Sequence, residues 1–386
     1  MLKKDITFIY TDSAEKSMYK PIAEEALKRG YKVTLSDNIF SRCEIGFYCQ
    51  HVNFPQLSRF SFIMLHDIIQ QYSNWPDIWF MEPWNKYDIG ILPSNQWLEN
   101  WKNSSHWFYA RPRKGIFKVG WPKADAVVNS LNNSSSKLIS EYNIDINKKT
   151  VLYAPAWEND GKQDDFVKAM QKLDVNILIK QFPWNVNIFP EQVKNVNEMK
   201  QLHSSLENVT ILPPETNIFN AIAISDVLVS EESSTMCEAV MMGIPAVSVS
   251  DWLIPDVKPS RFPKCDYDFV IMTKKDALTD CVKEIIENYA YYKNRAEEFS
   301  SQNFSNIGKS SKIIMDIVDD CVLNKPFRYE VITPNENKRL TPAKYFRHHY
   351  NIVVRSLLHN YAKRHPLINF LLQQARKIKR ILLPKL

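Results

Sequence analysis

The 386 residues exceed the length of one average domain and predict two domains of about 150 to 200 residues each. Hydrophobic residues make up 45% of the chain and aromatic residues 12%, which supplies two packed cores and excludes a disordered chain. The net charge of +6 is unevenly spread, because residues 338–386 carry 12 Lys or Arg and no Asp or Glu, while the remainder is acidic.

The chain begins with alternating strand-like and helix-like segments. The first apolar run is short and lies between Asp5 and Asp12, so it predicts a buried strand and not a signal peptide. Helical periodicity from Ser13 to Arg29 stops at Gly30, as is typical of a helix C-terminus. Strands that alternate with helices indicate a parallel sheet covered on both faces. The predicted strands are Ile6–Tyr10, Tyr31–Leu35, Ile45–Cys49, Phe60–Leu65 and Asp88–Leu92.

A segment rich in Ser and Asn, from Asn129 to Lys149, separates this unit from a second one with the same rhythm. The second unit contains a predicted helix from Glu232 to Gly243, and it ends in mostly helical sequence. Two successive α/β units imply a cleft between domains, where ligands usually bind. We predict domains at 1–140 and 141–325, followed by a tail at 326–386. The predicted strands of the second unit are Val151–Ala154, Val175–Lys180, Val209–Leu212, Asp226–Val229 and Pro245–Val249.

The sequence argues against several cofactor and metal sites. With only 8 Gly, the chain has neither the dinucleotide fingerprint nor the Walker A pattern, which disfavours dehydrogenases and P-loop NTPases. The six cysteines are scattered without Cys-x-x-Cys spacing, and no acidic cluster points to a metal. We therefore predict no metal, no cofactor, and free thiols in a reduced cytoplasmic compartment. No apolar run reaches 18 residues, so no membrane-spanning helix is predicted.

The strongest candidate site follows a buried strand of the second unit. Ser233, Ser234 and Thr235 stand where a helix begins, and their hydroxyl and free backbone N–H groups favour an anion such as a diphosphate. Glu238, one turn later, is placed to accept a hydrogen bond from a ribose hydroxyl, and Glu232 completes the predicted donor-binding set. The alternative is an ordinary helix cap with a capping acid, since Ser-Ser-Thr before a helix is common.

This segment resembles the donor-binding region of the CDP-glycerol glycerophosphotransferases, which are GT-B-like enzymes that build teichoic-acid and capsule polymers. Ser225-Asp226, Ser233-Ser234 and Glu238 match the family's Ser-Asp, its paired serines and the acid that follows them. Glu231 and Glu232 stand at the Asp-Tyr positions. Three further segments follow the family's order within roughly residues 60 to 250, namely Met64–Asp67, Phe117–Asp125 and Val151–Trp157.

The resemblance implies that His66 is a general base, because Met64–Asp67 is similar to the family's Trp-His-Gly with its proposed catalytic His. The residues themselves place His66 at the carboxyl end of a buried strand, with Asp67 as a neighbouring carboxylate to assist it. A structural histidine bonded to the backbone is the alternative.

The family's Lys-x-His-Pro appears here with Phe182 at the position of its second functional His. Lys180, which ends another strand, is predicted to neutralise a donor phosphate, unless it is a solvated lysine at a strand end. The departure at Phe182 leaves the identity of the donor open.

The basic tail is predicted to form amphipathic helices. Apolar residues in Tyr345–Leu358 and Leu367–Leu383 recur at helical spacing among Arg and Lys. Because such helices lie on anionic lipid headgroups, residues 338–386 are predicted to bind a membrane surface. Packing across both domains and nucleic-acid binding are the alternatives. The lack of interleaved acids disfavours the first, and no nucleic-acid module accompanies the charge, so no nucleic-acid partner is predicted.

These features together predict a GT-B-like α/β fold with two doubly wound Rossmann-type domains facing a cleft, and a basic amphipathic tail. The resemblance implies transfer of glycerophosphate, or a similar polyol phosphate, from a CDP-linked nucleotide donor to a lipid-linked glycan acceptor at the inner face of the cell membrane. One alternative is a GT-B glycosyltransferase that uses a CMP- or UDP-sugar in capsule or O-antigen synthesis. A second is an inactive scaffold subunit of such a complex, which the missing second His favours.

Overall fold

The computed structural model describes residues 2–11, 13–49, 53–68, 78–128, 131–265 and 267–335, with isolated residues between 343 and 374. Within these ranges the chain forms two six-stranded sheets flanked by helices. Neighbouring strands pair in parallel throughout both sheets. The prediction of two doubly wound α/β units is confirmed.

The first sheet has the strand order β2-β1-β3-β4-β5-β6. Its central strands are mostly buried, as expected of a parallel sheet that is covered on both faces. Its elements are β1 (Asp5–Ile9), α1 (Ser13–Lys28), β2 (Lys32–Ser36), β3 (Cys43–Tyr48), β4 (Ser58–Met64), α2 (Ile78–Met81), β5 (Ile89–Leu92), α3 (Asn95–Ser104), β6 (Gly115–Lys118), α4 (Pro122–Val128) and α5 (Leu131–Glu141).

The second sheet has the order β12-β11-β10-β7-β8-β9. The strand order reverses between β7 and β10, and parallel sheets bind ligands beyond the carboxyl ends of the strands at such a switch point. Its elements are β7 (Lys149–Tyr153), α6 (Lys162–Met170), β8 (Val175–Lys180), α7 (Pro190–His203), β9 (Val209–Leu212), α8 (Ile218–Ile222), β10 (Val227–Ser230), α9 (Thr235–Met241), β11 (Ala246–Val249), β12 (Val270–Thr273), α10 (Leu278–Glu287), α11 (Tyr289–Asn303) and α12 (Ser310–Leu323).

The structure differs from the sequence-based elements at three places. Helix α5 occupies most of the Ser- and Asn-rich segment that the sequence indicates as a break. Helix α9 starts at Thr235 and not at Glu232, because residues 231–234 form the turn that leads out of β10. Strands β6 and β12 were not predicted; each lies at the edge of its sheet and has at most two buried residues.

Buried side chains connect the two sheets. One apolar cluster contains core residues of both sheets, and it continues through Val119 and Trp121, which follow β6, and through Ile314 and Val318 of α12. Two further clusters cover the remaining face of each sheet. Val119, Trp121, Ile314 and Val318 are each at most 3% exposed, so the connection between the sheets is a packed core.

The chain returns to the first sheet at α12. Arg29, directly after α1, forms ion pairs with Asp316 at 2.7 Å and Asp319 at 2.8 Å. Asp125 accepts hydrogen bonds from the first two backbone N–H groups of α12, so this carboxylate caps a helix 185 residues further along the chain. The backbone N–H of Ile332 then donates to a carbonyl of β6. Residues 310–335 therefore pack on the first sheet, and the predicted domain bounds stay predictions.

The amphipathic helices predicted at Tyr345–Leu358 and Leu367–Leu383 lie mostly outside the described residues. Leu357 packs against the core of the first sheet, and Ala362 is buried. The large apolar side chains that are described as exposed in this part of the chain are Phe346, Tyr350, Leu358, Tyr361, Leu367, Phe370 and Leu371. Of the helices that the structure describes, none has the length and apolarity needed to span a bilayer.

Candidate active site

The loops that follow β7 and β10 meet at the switch point of the second sheet. The backbone carbonyl of Ala154, just after β7, accepts hydrogen bonds from the Ser230 hydroxyl at 2.8 Å and the Thr235 hydroxyl at 3.2 Å. These contacts bring the predicted donor turn to the position where doubly wound sheets bind ligands.

A buried ion pair fixes the same two loops. The Glu231 carboxylate accepts hydrogen bonds from the backbone N–H groups of Ala156 at 3.2 Å and Trp157 at 2.9 Å, and from the Lys162 ammonium at 3.2 Å. The Lys162 and Glu231 side chains are at most 1% exposed. Because a buried charge requires a partner and hydrogen bonds, this arrangement holds the β7 loop against the donor turn.

Ser233 and Ser234 lie at the start of α9. Ser234 is the residue before the first helical turn, and its side chain makes no capping hydrogen bond. The Ser233 hydroxyl accepts a bond from the backbone N–H of Thr235 at 3.3 Å. The ordinary-cap alternative therefore does not describe Ser234, whose hydroxyl is half-buried. A donor contact for Ser233, Ser234 and Thr235 stays a prediction.

Glu238 connects the two sheets. Its Oε1 accepts hydrogen bonds from the Trp121 indole N–H at 3.0 Å and from the Lys123 ammonium at 2.8 Å, both at the start of α4. The carboxylate is 1% exposed, and its Oε2 has no hydrogen-bond partner in the described part of the chain. A buried carboxylate that uses only one oxygen in hydrogen bonds with the protein is suited to accept a hydrogen bond from a hydroxyl group of a ligand through the other oxygen.

Lys180 lies at the carboxyl end of β8, close to this pair. Burial and the positive charge of Lys123 together lower the pKa of Lys180 to about 8, while the carboxylates of Glu238 and Glu215 act in the opposite direction. Lys123 thus pairs with Glu238, and Lys180 lies within electrostatic reach of both where the sheets meet. An entering phosphate would favour the protonated form of Lys180.

If the CDP-linked donor that the resemblance implies binds here, we expect binding of CDP to be coupled to protonation of Lys180. At pH 8 about half of the Lys180 side chains in the free protein are neutral, so binding should take up roughly half a proton per CDP, and almost none at pH 6.5. Affinity should fall as the pH rises above about 8. The measurement is isothermal titration calorimetry in two buffers of different ionisation enthalpy.

Lys180→Arg is the matched control, because arginine keeps the positive charge and does not titrate. If this variant takes up as many protons as the wild type, Lys180 is not the coupled group.

The stability of the folded chain also depends on pH through Lys180. The unfolded chain holds more protons than the folded one between about pH 8 and 10.5, so the contribution of Lys180 to stability increases with pH across that window.

Both carboxylate oxygens of Glu232 accept hydrogen bonds from other residues of the chain. Its two oxygens accept hydrogen bonds from the Arg261 guanidinium at 2.7 and 2.8 Å, and one of them also accepts the backbone N–H of Lys264 at 2.6 Å. Arg261 pairs in turn with Asp256 at 2.8 Å. In the structure Glu232 thus anchors the loop of residues 256–264, and its predicted donor contact stays a prediction.

His66 and Asp67 follow β4 on the first sheet. The His66 Nε2 lies 3.4 Å from an Asp67 carboxylate oxygen, so the predicted assisting carboxylate is adjacent to the imidazole. The backbone carbonyl of Asp67 accepts the Trp97 indole N–H at 2.9 Å, and that of Ile68 accepts the Ser94 hydroxyl at 3.0 Å. These bonds from the start of α3 fix the loop. The base role of His66 stays a prediction.

Sequence reasoning did not single out Trp121 and Lys162, two residues that shape the site. Trp121 and Lys123 approach Glu238 from the other sheet, and the Trp-Pro-Lys run after β6 was the available signal. The local sequence does not indicate that Lys162 is buried. It begins a helix that has two acids in its first turn, where a lysine is usually exposed to solvent. Among the residues that the structure describes, no group of three or more His, Cys, Asp or Glu is arranged to hold a metal ion.

Comparisons with known proteins agree with this architecture. The model of the family CDP-Glycerol:Poly(glycerophosphate) glycerophosphotransferase matches residues 70–320. Among solved structures, the wall teichoic acid polymerase TagF is 16% identical with a TM-score of 0.60, covering 83% of this chain and 89% of that one. The same polymerase soaked with CDPG has a TM-score of 0.58 at 16% identity over the same shares of both chains.

A second kind of enzyme has a similar fold. The UDP-GlcNAc 2-epimerase from Neisseria meningitidis bound to UDP-GlcNAc is 15% identical, with a TM-score of 0.55 over 83% of this chain and 100% of that one. Likeness at these identities shows the fold, and it confirms the GT-B-like class predicted from the sequence. No curated protein sequence matches the chain significantly.

Proposed function

The chain belongs to the CDP-glycerol:poly(glycerophosphate) glycerophosphotransferase family and is therefore a transferase, and we propose that it moves glycerophosphate or a similar polyol phosphate from a CDP-linked donor to a lipid-linked cell-surface glycan. The observation that carries this proposal is the pairing of Lys123 with the buried carboxylate of Glu238, with Lys180 within electrostatic reach of both. Two cations fit a diphosphate, and the open carboxylate oxygen fits a ribose hydroxyl.

In the proposed reaction, the donor lies at the switch point of the second sheet, with its diphosphate near Lys180 and the Ser233–Ser234 turn. His66 removes a proton from the acceptor hydroxyl, and Asp67 stabilises the imidazolium that forms. The acceptor oxygen attacks the transferred phosphoryl group, and the cytidine phosphate leaves with its charge neutralised by the lysines. Enclosure of the cleft would limit hydrolysis of the donor.

The CDP-linked donor is tested by thermal unfolding of the purified chain with CDP, CMP, UDP, GDP and ADP. A nucleotide at 100 times its Kd should add about 2.7 kcal/mol to the free energy of unfolding, and we expect this from CDP or CMP. Glu238→Gln should reduce the shift, while Glu198→Gln, an exposed acid on α7, should not. Stabilisation by no nucleotide would contradict the donor site and favour the scaffold alternative.

The second candidate function is a sugar transferase that uses a CMP- or UDP-sugar. It is favoured by Phe182, an aromatic residue that packs against Trp184 at 5.0 Å where the family has a functional His. Stabilisation by UDP alone, together with consumption of a UDP-sugar and no turnover of CDP-glycerol, would support this candidate.

We propose that the tail binds the inner face of the membrane, where a lipid-linked acceptor would be found. The proposal is supported by the charge of residues 338–386 and by the exposed apolar side chains described among them. Replacing Arg376, Lys377, Lys379 and Arg380 by Gln in the full chain should remove about 1 kcal/mol of binding per charge. Flotation with vesicles containing phosphatidylglycerol measures this, and undiminished binding by the variant would exclude the role.

A further inference from the structure

Four aromatic rings gather beyond the carboxyl ends of β7 and β8, and we call Trp157, Phe182, Trp184 and Phe189 the aromatic cluster. The Trp184 ring centroid lies 4.8 Å from that of Trp157, 5.0 Å from that of Phe182 and 4.8 Å from that of Phe189. Trp184 is thus the centre of the cluster, and the other rings surround it at inclined angles.

The cluster is not part of a buried core. Phe182 is 37% exposed and Phe189 is 36% exposed, while both tryptophans are half-buried. Val186 and Ile188, in the loop between these residues, are also exposed. A contiguous apolar surface of this kind on a folded domain is typical of a place where a ligand or partner binds.

The backbone beneath the rings is held in place. The Trp157 N–H donates to the buried carboxylate of Glu231 at 2.9 Å, and the Trp157 carbonyl accepts from Lys162 at 3.0 Å. On the other side, the Phe189 N–H donates to the carbonyl of Asn185 at 2.8 Å. Because these anchors fix the chain before any ligand arrives, binding at the cluster loses little conformational entropy.

The absence of charged side chains from the loop of residues 181–190 indicates what kind of ligand fits. Residues 181–190 contain no charged side chain, and the exposed amides of Asn185 and Asn187 accompany the rings. A phosphate or an anionic lipid headgroup would require cations, which this chain concentrates in residues 338–386 instead. Aromatic faces with amides beside them match an uncharged ring that has an apolar face and a rim of hydroxyls.

The position of the cluster relates it to the proposed reaction. Phe182 stands two residues after Lys180, and Trp157 is bonded to the acid that precedes the donor turn. We propose that the aromatic cluster binds an uncharged sugar ring of the acceptor glycan, a role that rests on the transfer proposed above. Trp184 supplies the central stacking surface, and the loop amides bind hydroxyl groups.

The test is saturation-transfer NMR of the full chain with maltose, cellobiose, lactose and N,N′-diacetylchitobiose. At least one disaccharide should bind saturably with a Kd below about 10 mM. Trp184→Ala should weaken that binding about ten-fold, and Trp184→Phe should retain most of it. Phe189→Ser is a second variant of the aromatic cluster, at a ring that is more exposed than that of Trp184. Tyr291→Ala removes an aromatic ring that is 59% exposed on α11, and it should leave binding unchanged.

Three outcomes would overturn the proposal. In the first, none of the four disaccharides binds. In the second, Trp184→Ala weakens CDP binding but leaves sugar binding unchanged, which would make the cluster a site for the nucleotide base. In the third, Trp184→Ala abolishes binding of the chain to phosphatidylglycerol vesicles, which would make the cluster a lipid-binding surface. The proposed transfer fails separately, if no nucleotide binds while a disaccharide still binds through Trp184.

Discussion

Replacing His66 by Asn should lower kcat for glycerophosphate transfer by about 10²- to 10⁴-fold, the usual contribution of a general base. The donor Kd should change little, because His66 belongs to the first sheet and the predicted donor contacts to the second. Asn keeps a polar side chain of similar size in the half-buried loop, so the fold should survive. The measurement is turnover of CDP-glycerol with a lipid-linked acceptor, together with CDP affinity by calorimetry.

The control for this variant is His106→Asn, since His106 lies beside Trp107 and carries no predicted role. Asp67→Asn should show a smaller loss of kcat, because the carboxylate at 3.4 Å acts through the imidazole. Unchanged turnover in the His66 variant would exclude the base and leave the structural-histidine alternative. A loss of CDP affinity of the same size as the loss of kcat would assign His66 to donor binding instead.

The fold was predictable wherever a strand contains a mostly buried run rich in apolar residues. Strands β4 and β8 were found within two residues because parallel sheets buried on both faces select such sequences. Helix α5 was missed because Ser and Asn, which are typical of loops, make up much of it. The return of α12 to the first sheet depends on Arg29, Asp316 and Asp319, and no local pattern shows such pairs.

The candidate site was predictable only where its residues share one segment. Ser233, Ser234 and Glu238 lie within six positions of each other, so one strand-turn-helix pattern revealed them together. The bond from Trp121 to Glu238 joins residues 117 positions apart, and it depends on how the two sheets pack. Glu232 is a further case, because its bond from Arg261 joins residues 29 positions apart and no local pattern reveals it.

Breaking the buried pair at the switch point should have the largest effect on stability. Lys162→Met leaves the fully buried Glu231 carboxylate without its cation, and removal of one partner of such a pair typically costs about 3–5 kcal/mol of unfolding free energy. Glu231→Gln should be similarly harmful, because the Lys162 ammonium then stays buried without the negative charge of its partner. Urea denaturation followed by tryptophan fluorescence measures both losses.

The matched control lies on the same helix. Lys168→Met removes an ammonium that is 69% exposed and pairs with Asp164 four residues before it, so no measurable loss of stability is expected. The double variant Lys162→Met with Glu231→Gln should recover part of the loss, because no uncompensated charge remains buried. If Lys162→Met were as stable as Lys168→Met, the pair would not be what holds the β7 loop. The rigid placement of Trp157, on which the aromatic cluster depends, would then need another cause.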